Sequence, residues 1–184
     1  AKKYRRTRYR LTVDYASMMG STCLGLLRRD MYCGRVAHLV NPNLDILTNK
    51  DKRPADDTTA PIMPYEVLST IKARLQVDSV NIVNGSLTYG ERITTGSPPA
   101  AINFDSMNVT IGGIANYCCD YDFTRISARG RFMQEGALDI RMVIPAANPE
   151  FSLEYSGSLG PMSLTAFNPF IKVAEHVRIK SGEL

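Results

Sequence analysis

Histidine is almost absent from this chain, and with it goes the usual machinery of catalysis. His38 and His176 are the only two, and they stand 138 positions apart. One lies inside an apolar alternation and the other at the end of a short helical pattern, which are structural settings. Gly-x-Ser-x-Gly, a phosphate-cradling glycine loop and His-Glu-x-x-His are all missing, so acyl transfer, nucleotide binding and zinc hydrolysis lose their common carriers. Cysteine is sparse too. Cys23 and Cys33 are ten apart, and Cys118 and Cys119 are adjacent, so no Cys-x-x-Cys zinc pair forms. An even count permits two bridges in three connectivities. The adjacent pair suits no mutual bond, which leaves free buried thiols, or a bridge from residue 23 or 33 to residue 118 or 119 in an oxidising compartment. The loop carboxylates Asp51, Asp56, Asp57, Asp120 and Asp122 lack calcium-loop spacing and read as solvated surface. No catalytic residue, metal site or cofactor is expected, and no enzymatic activity.

Long apolar runs are also lacking. A membrane helix needs about 20 such residues. The longest weak stretch, Met18 to Leu27, holds ten and includes Gly, Ser and Thr, without the layout of a signal peptide. The triplets at Asn84 and Asn108 match a glycosylation acceptor, but the first reads as a turn and the second as strand.

What is present is ordinary for a folded domain: 44% hydrophobic and 22% charged residues over 184 positions. The net charge of +4 is uneven. Residues 1–35 hold nine Lys and Arg against Asp14 and Asp30, a balance of +7, and the remainder is −3. A basic end of this kind can meet phosphate. In residues 8–15, however, the bases alternate with apolar side chains, which is the solvated face of a strand. Nucleic acid is not an expected partner, because only Tyr4 and Tyr9 offer stacking rings there.

Period-two alternation dominates the chain. Tyr9, Leu11, Val13 and Tyr15 are expected on one face. Residues 36–47 read as a strand interrupted at Asn41-Pro42. Residues 49–61 read as a surface loop, and residues 65–75 as the clear helix, with Val67, Leu68, Ile71 and Leu75 at helical spacing. Val80 and Ile82 then lead into Asn84-Gly85, expected as a hairpin turn between two strands because both residues tolerate positive φ. Gly112-Gly113 is expected to break the next run, Glu135-Gly136 and Asn148-Pro149 to turn it, and residues 168–176 to form a helical turn behind Asn168 and Pro169. Residues 177–184 alternate once more before a Gly turn and read as the opening of a further strand, frayed or paired to a neighbour. The organisation expected is N-terminal strands over 1–48, loop and helix over 49–75 and a meander over 76–184. The fold class is mainly β: a curved antiparallel sheet, groove-like, with one short α-helix.

Three stretches carry a resemblance. They are Pro42-Asn43-Leu44-Asp45-Ile46 with Asp51-Lys52-Arg53-Pro54; residues 77–91 (VDSVNIVNGSLTYGE) with Ile102-Asn103-Phe104-Asp105; and residues 157–164 (GSLGPMSL) with Phe167-Asn168-Pro169-Phe170 and Ile179-Lys180-Ser181-Gly182. In their order and spacing, over about residues 36–184, they resemble the AsmA-like superfamily of bacterial envelope proteins, which includes AsmA and TamB. The resemblance implies one section of a longer β-array in the periplasm, with an inner-membrane anchor outside this sequence. It also implies a bridge-like role in which an apolar groove guides lipid during outer-membrane biogenesis. The missing anchor and the four cysteines depart from that pattern.

The groove lining expected on this reading is Val80, Ile82, Leu87, Tyr89, Ile102, Phe104, Leu138, Ile140, Met142, Ile144, Phe151 and Leu153. Each of these residues also suits plain core packing. The expected partners are lipid or acyl chains, further repeats of the same protein and other envelope proteins. The alternative is a structural or assembly module whose apolar face meets neighbouring repeats or another envelope protein.

Overall fold

A computed structural model describes residues 5, 7–20, 31–52, 72–116, 123–145 and 153–184. Among the described residues nine strands form one sheet: β1 (Thr7–Thr12), β2 (Tyr15–Met19), β3 (Met31–Val40), β4 (Asn43–Asn49), β5 (Arg74–Arg92), β6 (Ala100–Ala115), β7 (Phe123–Phe132), β8 (Gly136–Pro145) and β9 (Glu154–Leu159). The order across the sheet is β1-β4-β5-β6-β7-β8-β9, with β2 beside β3 and β3 beside β5. The sheet does not close on itself.

The register explains why nine strands occupy seven positions. β1 pairs with β4 (Thr7↔Thr48 to Thr12↔Asn43) and β2 with β3 (Tyr15↔Val40 to Met19↔Val36) in one unbroken antiparallel count. Residues 7–19 are therefore one line beside residues 31–49. Both β3 and β4 run parallel to β5 at a constant offset (Ala37↔Val80, Leu44↔Leu87). The sheet is thus mixed, which corrects the all-antiparallel expectation. A parallel neighbour requires a crossover, and that crossover occupies the segment between Asn49 and Arg74, most of it outside the described residues.

Whole rungs of side chains can be followed across this register. Met18, Ala37, Val80, Ile111, Ile126, Met142 and Tyr155 lie opposite one another in turn. So do Ala16, Leu39, Ile82, Val109, Ala128, Ile140 and Gly157. Opposed residues share a face, so both rungs lie on one side. The rung between them is Ser17, His38, Asn81, Thr110, Ser127, Arg141 and Ser156, which is polar and projects from the other side. Each favourable cross-strand pair contributes about 0.2–1 kcal/mol.

Asn84-Gly85 is a bulge inside one 19-residue strand, not the expected hairpin. The same left-handed backbone that makes a hairpin turn also makes a bulge, and here the chain runs straight on. Asn41 (φ 49), at the junction of β3 and β4, Asn84 (φ 53) in β5 and Ser106 (φ 51) in β6 carry that conformation at one level. The ladder continues through them: Asn41 N donates to Val83 O at 2.9 Å and Ser86 N to Pro42 O at 2.8 Å. Side chains tie the seam crosswise. Asn84 Nδ2 donates to Asn41 Oδ1 at 2.8 Å, and Asn41 Nδ2 donates to Asp14 Oδ2 at 2.9 Å. The apolar positions change from even (80, 82) to odd (87, 89) at this seam, so the extra residue keeps them on one face. The β6 bulge at Ser106 restores the register with β5.

The same seam separates β1 from β2. Tyr15 opposes Val40 and so faces away from Tyr9 and Leu11, contrary to the expected shared face. Further along, Gly112-Gly113 does not end its strand, because β6 runs through to Ala115, with Gly113 at φ 75. The Glu135-Gly136 turn forms as expected between β7 and β8.

The C-terminal segment folds against one end of the sheet. A 3-10 turn (Leu164–Phe167), capped by Ser163, leads into helix α1 (Asn168–Ala174), with Pro169 in its first turn. Phe167, not Asn168, is its N-cap. The helix expected at 65–75 lies largely outside the described residues, and its last two, Arg74 and Leu75, open β5.

Residues 177–180 form no strand. Asn168 supplies the hydrogen bonds a neighbour strand would have given: Ile179 N donates to Asn168 Oδ1 at 2.9 Å, and Asn168 Nδ2 to Ile179 O at 3.0 Å. The chain then returns on itself, with Leu164 N donating to Gly182 O (2.8 Å) and Leu184 N to Met162 O (3.0 Å). The expected frayed strand is therefore a tied-back segment.

Candidate binding face

The sheet has two unlike faces. On the apolar face, Val80 opposes Ile111, Ile82 opposes Val109, Leu87 opposes Phe104 and Tyr89 opposes Ile102. Beyond β7, Ile144, Met142, Ile140 and Leu138 oppose Thr124, Ile126, Ala128 and Gly130. Ten of the twelve lining residues read from the sequence therefore fall on this single face, and all ten are half-buried. Leu153 is exposed and precedes β9. Phe151 lies outside the described residues.

Several members were not in that set. Val109, Ile111, Ile126 and Ala128 fill the middle of the rungs, and Leu44, Ile46, Tyr9 and Leu11 extend the face across β4 and β1. Their signal was the same alternation, but the parallel pairing that brings β4 beside β5 was hidden in the crossover.

The C-terminal segment covers one end of this face. Phe104, Phe132 and Phe167 pack in sequence, the first pair tilted and the second edge to face, with ring centroids 5.1 Å and 5.5 Å apart. Met162 is buried there, and a Cβ on Gly136 would meet both Leu159 and Met162. Away from this corner the rungs have no cover among the described residues, and no large side chain is fully buried. A small polar cleft of about 300 Å³ lies beside the segment, lined by Asn103, Glu135, Thr165 and Pro169 among others, and does not reach the rungs.

The opposite face carries the charges. Arg8 pairs with Asp45 at 3.1 Å, and Asp139 accepts from Arg129 at 2.8 Å with Arg141 at 3.9 Å. Such exposed pairs are worth about 0.2–1 kcal/mol each. Their main effect is to keep this side wet.

A buried charged group sits at the β4–β5 end of the apolar face. Glu91 is buried, opposite fully buried Ala100. Burial alone would raise its carboxyl. The Lys50 ammonium at 2.6 Å, the Tyr89 hydroxyl donating at 2.7 Å, and the positive charges of Lys50 and Arg5 outweigh that and hold it below the ordinary range. The same hydrogen bond, with burial and the Glu91 charge, raises Tyr89. This trio closes the β4–β5 end of the face with a neutralised polar edge.

Cys33 is a half-buried free thiol, and the other three cysteines lie outside the described residues. Among the described residues no cluster of His, Cys, Asp and Glu is arranged to hold a metal, and no helix is long and apolar enough to cross a membrane. Comparison with protein-family models, with curated proteins and with solved structures finds no match.

Proposed function

We propose that this chain is a non-enzymatic section of a bacterial cell-envelope β-array, and that its apolar face shelters acyl chains of lipids in transit. The observation that supports the reading is the pair of apolar rungs. They run the full width of the sheet, largely half-buried over its inner strands and exposed at its two edges, with a charged reverse face and, among the described residues, no covering layer over most of their length. A chain that needed only a core would bury such a face under a second layer. An acyl chain laid across the rungs removes the same surface from water, at about 25 cal/mol per Å². The AsmA-like resemblance points the same way and implies a periplasmic setting.

The test is lipid uptake. Delipidated protein incubated with phosphatidylethanolamine–phosphatidylglycerol vesicles and re-isolated should carry phospholipid by mass spectrometry. Ile126→Arg, which sets a charge in the middle of a rung at a half-buried position, should lose that lipid while keeping its β circular dichroism. Delipidated protein that takes up none would overturn the reading in favour of a face that binds neighbouring repeats or another envelope protein.

A further inference from the structure

The two edges of the sheet are built to meet each other, and we infer that copies of this chain associate head to tail by joining β9 of one to β2 of the next. Among the described residues, β2 pairs only with β3 and β9 only with β8, so each has an outward row of unpaired backbone groups. Such edges are normally blunted by charge, proline or a bulge. β1 is blunted, by Arg8 and Arg10. β2 is not: Tyr15–Met19 has no charge and no proline, and Met18 and Met19 are 50% and 53% exposed. β9 carries only Glu154 at its start, and Tyr155 is 77% exposed.

The register shows that these two unprotected edges lie at the same level. The rung that begins at Met18 ends at Tyr155, and the rung that begins at Ala16 ends at Gly157. Counting strand directions across the sheet, β2 and β9 run opposite ways. A second copy moved sideways without rotation therefore presents β2 antiparallel to β9, with the apolar faces on the same side. At that level Tyr155 meets Met18, a favourable sulfur–aromatic pair. Gly157 meets Ala16 on the same face, and Ser156 meets Ser17 on the polar one. The junction continues every rung into the next copy. It is heterologous, so it leaves a free edge at each end and builds open chains rather than a closed dimer.

The inference does not depend on acyl binding, and its test uses delipidated protein. Sedimentation velocity should show association that grows with concentration. Met18→Lys and Tyr155→Lys each place a charge on one edge and should each be monomeric. Mixed, they should form dimers and nothing larger, because each variant keeps the edge that the other has lost. Met18→Cys protein mixed with Tyr155→Cys protein should give the mixed disulfide as its main cross-link, since directly opposed Cβ atoms lie within bonding range, and this arm serves if a lysine variant fails to fold. Wild-type protein that stays monomeric, a single lysine variant that still self-associates, or cross-links mainly between identical positions would overturn it.

Discussion

Replacing Asn84 probes the seam that keeps the apolar face continuous. Asn84 sits at φ 53 in the middle of a 19-residue strand, and its side chain donates to Asn41 at 2.8 Å. Two terms can be separated. A β-branched residue in the left-handed region costs about 1–2 kcal/mol in backbone strain. The exposed amide–amide hydrogen bond contributes about 1 kcal/mol net. Asn84→Val loses both, so about 2–3 kcal/mol of stability should disappear. Asn84→Gly loses the hydrogen bond but adopts positive φ freely, so it should cost about 1 kcal/mol or less. Asn41→Ala and the Asn41→Ala/Asn84→Gly double variant complete a cycle, with an expected coupling of about 0.5–1 kcal/mol. The assay is urea unfolding at fixed slope, where the Val and Gly variants should differ by about 1–2 kcal/mol. Equal midpoints for the two would refute the left-handed bulge, and a zero coupling would refute the crosswise tie.

Three other outcomes follow from single contacts. Gly130→Ala should destabilise by about 1–3 kcal/mol in chemical unfolding, because the new Cβ would lie 2.9 Å from Asp105 O and 3.0 Å from Met107 Cα, both backbone atoms that do not yield easily. Acid should weaken the β4–β5 end. Glu91 is held below its ordinary range, so its contribution is complete above the unfolded pKa of about 4.3 and is lost as pH falls through the lower folded value. Glu91→Gln should flatten that part of the stability–pH curve, and an unchanged curve would contradict the ion pair. Asn168→Ala removes both hydrogen bonds to Ile179. Amide exchange at Ile179 should then speed up by roughly tenfold, about 1.4 kcal/mol, while the sheet amides keep their protection.

Alternation made the strands of this sheet legible, and it selected ten residues that the register places on one face. It failed where one local signal serves two structures. Positive φ at Asn84 suits a hairpin and a bulge alike, and only the parity change from Ile82 to Leu87 tells them apart. Parallel pairing of β3 and β4 with β5 left no trace in sequence, because offset is a property of the crossover rather than of any strand. The alternation at 177–180 was real, but Asn168, nine residues upstream of Val177 in sequence, satisfies the backbone that a partner strand would have paired. The protected and unprotected edges, β1 against β2, could be distinguished only once the level of β9 was known.

The most direct test of the central claim asks where a lipid lies. Delipidated protein loaded with a phospholipid bearing a photoreactive acyl terminus, then irradiated and digested, should show adducts on the apolar rungs, at Val80, Ile111, Ile126, Met142 and their neighbours. The polar rung through Asn81, Thr110, Ser127 and Arg141 should stay unlabelled. Adducts spread equally over both faces, or confined to the corner under Phe167, would contradict an open acyl-binding sheet.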